Sequence, residues 1–184
     1  MIKSLRTAAA TLMTAASALA LTVLGPAGTA SAGVLDVTCT PPSSNNITYN
    51  PPMTATPQTV AYNATAQYGP CVSLSNPAIT SGSRTTAGSV PDTSCLDLLG
   101  SRSFTLTITW NTGQTSTISG NSSATIAGAA LISTFTGTVT SGLFTGSTVA
   151  QVLTGPAADV LLCTAGLGTV SGIYSLATLE ITSP

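Results

Sequence analysis

Five carboxylates, two arginines and four cysteines hold nearly all the reactive chemistry of residues 33–184. The acids are Asp36, Asp92, Asp97, Asp159 and Glu180, and the cations are Arg84 and Arg102. The chain has no histidine, and Lys3 is its only lysine. Without an imidazole base, Ser-His-Asp and Cys-His mechanisms are excluded. Ser-Lys chemistry goes with Lys3, which sits in a leader segment. A two-carboxylate mechanism would need a pair drawn from the five acids. Asp92-Thr93-Ser94 shares two residues with an aspartic-protease triplet, but Ser94 replaces the glycine and the motif occurs once. A turn-forming Asp92 and a solvated or capping Asp97 are the simpler readings. The expectation is no catalytic residue and no enzymatic activity.

Metal and cofactor sites are similarly unsupported. Cys39, Cys71, Cys95 and Cys163 contain no C-x₂-C pair, the spacing that zinc sites favour. No acidic loop suited to calcium occurs. Gly166-Leu167-Gly168 lacks the lysine and spacing of a phosphate loop. No cofactor and no metal are expected. Four cysteines in an exported chain instead predict two disulfides, in one of three connectivities. Residues 75–94 are rich in Ser, Gly, Thr and Pro and read as a long surface loop. Cys71 and Cys95 bracket it, so Cys71–Cys95 is the expected link, worth about 3 kcal/mol. Cys39 then pairs with Cys163.

The compartment follows from the first residues. Lys3 and Arg6 form a positive start, residues 8–24 are largely apolar, and Gly25-Pro26 break the run before Ala30-Ser31-Ala32. This is the pattern of a secretory signal peptide over residues 1–32, cut after Ala32. Residues 33–184 are then one secreted, extracellular domain. Neither a hydrophobic tail nor a wall-sorting motif ends the chain, so no membrane anchor is expected after processing. Two arginines against five acids offer no basic patch for nucleic acid. Sequons at Asn46, Asn63 and Asn121 would matter only in a eukaryotic secretory pathway, and the leader looks bacterial.

The elements that must position these groups are strands. Phe104, Leu106, Ile108 and Trp110 alternate with Thr105, Thr107 and Thr109, giving one apolar face and one threonine face. Asn111-Thr112-Gly113 is a hairpin loop, and residues 115–119 return. Trp110, the only tryptophan, continues the apolar face and is read as a core anchor rather than a sugar-stacking platform. Val60, Tyr62, Ala64, Ala66 and Tyr68 line one face of a second long strand. Residues 95–99 are a short strand or one helical turn. Phe135, Gly137 and Val139 share a face, as do Ile173, Ala177, Leu179 and Ile181. Residues 160–164 are apolar on both faces and read as a buried central strand. Eight to ten short strands with no helical period predict an all-β fold. The specific expectation is an antiparallel, immunoglobulin-like β-sandwich with two disulfides.

The runs Thr107 to Ser116, Gly137 to Gly146 and Leu161-Leu162-Cys163 resemble a group of small secreted actinobacterial Ig-like proteins. The resemblance implies export and a sandwich, and carries over no site residue. The resulting expectation is a non-enzymatic extracellular module with a structural or binding role, its partner an extracellular protein or glycan. The alternative is a secreted protease inhibitor that presents the 75–94 loop, which carries a lone Arg84. A third reading, a sugar binder using Tyr49, Tyr68 or Tyr174, is less favoured.

Overall fold

The computed structural model describes residues 35–184. The expected signal peptide and its cleavage site lie outside the described residues. The elements are β1 (Leu35–Cys39), β2 (Ser44–Met53), β3 (Gln58–Tyr68), β4 (Cys71–Val72) and β5 (Gly82–Thr93). A 3₁₀ helix (Cys95–Leu99) precedes β6 (Arg102–Trp110), β7 (Thr115–Ala127), β8 (Ala130–Gly142) and β9 (Thr148–Pro156). Helix α1 (Ala158–Thr164) and strand β10 (Val170–Thr182) complete the chain.

The fold is all-β, but it is not a sandwich of two sheets. One antiparallel sheet runs β2-β3-β5-β6-β7-β8-β9-β10, and β10 then pairs with β2. Eight strands therefore close into a barrel. The physical reason lies in β10, which is 13 residues long. One edge of it bonds β9, and the other bonds β2 and then β1. Strand β4 adds to the outer edge of β1.

The expected central hairpin is present, with Leu106 opposite Ile118 and Thr107 opposite Thr117. Its apolar face points inward and its threonines outward, where Thr107 and Thr117 hydroxyls meet at 3.1 Å. Trp110 is 2% exposed and packs with Tyr68, Ile79, Ile108, Ile118, Leu179 and neighbours at one end of the barrel. Burial of an indole requires an acceptor for its N–H. Nε1 donates to Ser116 Oγ at 2.9 Å, and that hydroxyl donates to the Leu143 carbonyl at 2.7 Å. At the same end, buried Asp36 accepts hydroxyl hydrogen bonds from Ser75 at 2.8 Å and Ser147 at 2.6 Å.

A second core closes the opposite end, built on Met53, Val60, Leu131, Val160 and Val170. Here residues 160–164 are helix rather than the expected buried strand. Val160 and Cys163 face the core while Leu161 and Leu162 stay exposed. A spacing of three puts the two buried side chains on one helical face. The expected disulfide pairing is also overturned. Cys39 bonds Cys71, and Cys95 bonds Cys163. Cys39 and Cys71 are direct register partners on β1 and β4. Cys95 opens the 3₁₀ helix and is fixed against α1, so its partner is on the helix.

Two measurements test this arrangement. Non-reducing peptide mapping should recover a Cys39–Cys71 and a Cys95–Cys163 peptide pair; a Cys71–Cys95 pair would contradict the barrel. Ser116→Ala should lower stability by about 1–3 kcal/mol by leaving the buried indole N–H without its acceptor. Denaturant unfolding followed by Trp110 fluorescence reads this, and an unchanged midpoint would mean the N–H is satisfied elsewhere.

Candidate functional site

The two cores fill the ends of the barrel and leave its middle open. Between them lies a cavity of about 750 Å³. Its walls include Ile47, Tyr49, Val60, Leu106, Leu131, Phe135 and Leu153, with the polar side chains of Asn45, Arg84, Thr86, Ser133 and Ser175. Phe104 and Phe135 meet edge to face at 5.4 Å on one side.

The cavity opens through the wall. β5 and β6 share only two register pairs, Gly82 with Trp110 and Ser83 with Thr109. Beyond them the two strands diverge, and Pro91, Asp92, Ser101, Arg102 and Ser103 line the cavity from the resulting slot. Residues 94–101 span the far end. The Cys95 N–H donates to the Thr54 carbonyl at 2.9 Å, and the Cys95–Cys163 bond ties this span to α1.

The segment expected as a surface loop is therefore largely β5. It pairs with β3 from Tyr68↔Gly82 to Gln58↔Thr93. Register decides which side chains turn inward, because partners directly opposite share a face. Ala66 faces inward, and so does its partner Arg84. Asn45 is opposite Ala66 on the other side. Asn45, Ala66 and Arg84 form one row across three strands. Arg84 is thus in a strand and not in a surface loop. Its Nη2 donates to Asn45 Oδ1 at 2.9 Å. Its Nε is buried and has no acceptor.

The neighbours of Arg84 form a small polar belt. Gln151 Nε2 donates to the Tyr68 hydroxyl at 3.2 Å. Burial pushes the Tyr68 phenol above its usual range, while the Arg84 charge and hydrogen bonds from Gln151 and Arg84 oppose that shift. Burial also raises Tyr49, to about 12, against the opposing charge of Arg102. Tyr49 and Tyr68 thus face the interior and remain neutral, whereas Tyr174 is 55% exposed.

Two of the five acids, Asp92 and Asp97, line the cavity, and the other three do not. Asp36 is held by Ser75 and Ser147. Asp92 is exposed near the end of β5 rather than in the expected turn, and takes a left-handed φ of 49° where the register with β3 shifts between Val90 and Thr93. Asp97 Oδ2 accepts from the Ser94 N–H at 2.8 Å and the Ser94 hydroxyl at 2.9 Å. Those two bonds hold its carboxyl below the ordinary range, so it is an ionised cap and unsuited to proton donation. Asp159 and Glu180 are exposed. Among the described residues no cluster of His, Cys, Asp and Glu could hold a metal. Sequence reasoning missed Asn45, Gln151 and Ser175. Their inward parity on strands β2, β9 and β10 was the signal available. No family model, curated protein or solved structure matches the chain.

The buried phenols make a pH prediction. An unfolded tyrosine ionises near pH 10, whereas folded Tyr49 keeps its proton to about 12. Between those values the unfolded chain binds fewer protons, so stability falls as pH rises through the window. Tyr49→Phe should remove part of that alkaline loss. It should also delete a phenol titrating near pH 12 from the ultraviolet absorbance titration.

Proposed function

We propose that this protein is a secreted, non-enzymatic binding module that holds a small, largely apolar ligand inside its barrel. The observation that carries this reading is the cavity of about 750 Å³ between two packed ends, reached through the β5–β6 slot. Ligand sites are typically concave, mostly apolar and furnished with a few polar groups. An eight-stranded barrel is wide enough to hold one small ligand. Two disulfides fit an oxidising, extracellular setting. Among the described residues no helix is long and apolar enough to cross a membrane. The barrel is also apolar inside and threonine-rich outside, the reverse of a membrane-spanning barrel. The lack of histidine, together with the engagement of Asp97 by Ser94, favours binding over catalysis. The inward placement of Arg84 counts against an inhibitor that offers it to a protease.

The test is titration of the oxidised protein with N-phenyl-1-naphthylamine, a neutral apolar dye. One saturable site with enhanced fluorescence is expected. Ala64→Leu, which adds bulk at the cavity wall, should weaken the dye by about tenfold or more, a cost of about 1.4 kcal/mol. No saturable binding to the folded protein would remove the reading.

A further inference from the structure

We infer that the ligand is an amphipathic carboxylate whose anionic head pairs with Arg84 and whose apolar body fills the cavity toward the α1 end. This rests on the proposed binding role of the same cavity.

Arg84 is an unusual residue to find inside this barrel. A guanidinium does not lose its charge at any ordinary pH. Enclosing it therefore costs free energy unless an anion or a full set of acceptors compensates. Compensation from the chain is incomplete. Asn45 Oδ1 takes one hydrogen bond and the Tyr68 hydroxyl another, both uncharged acceptors, and Nε has none. Among the described residues no carboxylate forms an ion pair with it. The two acids that line the cavity sit at the slot, where Asp97 is engaged by Ser94 and Asp92 is exposed. The missing partner is an anion from outside.

Geometry selects the kind of anion. Arg84 sits one residue beyond the last β5–β6 pair, Ser83 with Thr109, at the closed corner of the slot. The next inward positions are Thr86 and its register partner Ala64, both small and both lining the cavity. Space therefore begins beside the guanidinium. Beyond it the walls turn apolar, through Ile47, Leu106 and Phe135 to Val60 and Leu131. A planar donor fork beside an apolar chamber matches a carboxylate head on a hydrocarbon body. A polyanion would place surplus charge against Ile47 and Phe135. A neutral sugar would leave Nε without a charged acceptor.

Displacement of bound N-phenyl-1-naphthylamine by decanoate and by decan-1-ol, which share a chain length, separates head from body. Decanoate should compete at least about tenfold better than decan-1-ol, the factor expected for one charge-assisted pair. In Arg84→Met the preference should vanish while the dye still binds. Arg84→Gln, which keeps a donor for Asn45, should lose the preference likewise and serves if the methionine variant does not fold. Equal competition by the two compounds, or no displacement by decanoate, overturns the inference and leaves the binding reading standing. Unchanged decanoate affinity in either folded variant overturns it as well. Failure of the dye and of decanoate to bind at all overturns both.

Discussion

The hydrogen-bonded ladder between β2 and β10, from Met53↔Val170 to Ser44↔Leu176, is the contact on which the barrel depends. Without it, β2 and β10 would each present an unpaired backbone edge, and such edges recruit other chains. Closure also sets the strand offset. β10 uses Val170 to Leu176 against β2 but Leu176 to Thr182 against β9. A strand displaced in this way between its two neighbours supplies the stagger that a tilted barrel requires. The remaining length of β10 is taken by β1, so its final residues do not become a free edge.

Once the ring is closed, every second residue must share one interior, and volumes at facing positions have to complement one another. Gly82 and Gly88 follow from this constraint. A Cβ at Gly82 would lie 2.8 Å from the Trp110 ring, and one at Gly88 would lie 3.0 Å from the Tyr62 ring. β5 has given up side chains where aromatic rings from β6 and β3 occupy the space. A similar economy brings β7 and β8 together, where a Cβ at Gly120 would lie 2.1 Å from the Thr136 carbonyl oxygen. Packed side chains fill the two ends, and the middle keeps a cavity into which Ala64, Thr86 and Arg84 face.

These compensations explain what could be read from the sequence. The alternation of Phe104, Leu106, Ile108 and Trp110 with threonines was legible because those strands put large apolar groups inside. Much of the β3 and β10 faces was legible for the same reason. β5 was not, because its inward residues are Gly82, Arg84, Thr86, Gly88 and Val90, a set that reads as a loop. Their inward direction is set by register with β3, and register is not local information. The helix at Ala158–Thr164 was hidden because a short apolar run carries no decisive period. Sandwich and barrel share a period of two, so only the β2–β10 contact distinguishes them. The cysteine pairing depended on that same topology. With residues 82–93 in a strand, no long loop remained for a Cys71–Cys95 bond to close.

The distribution of charge connects the fold to its proposed use. The described residues contain only two arginines, and solubility is served by threonine and serine on the outer face. Arg102 lies at the exposed slot, as a surface cation would. Arg84 lies inside, where desolvation works against it and an apolar residue at the same register position would pack without that cost. The staples sit where they preserve this arrangement. Cys39–Cys71 fastens the strands around the Trp110 core, and Cys95–Cys163 ties the span across the slot to the helix that plugs the other end. Neither crosses the cavity. Both ends are anchored covalently, while the single weak seam of the ring, β5 against β6, opens beside the one interior cation. An arginine and an open seam are not what packing alone favours, and the two departures fit the proposed site together, the seam as its entrance and Arg84 as its anchor.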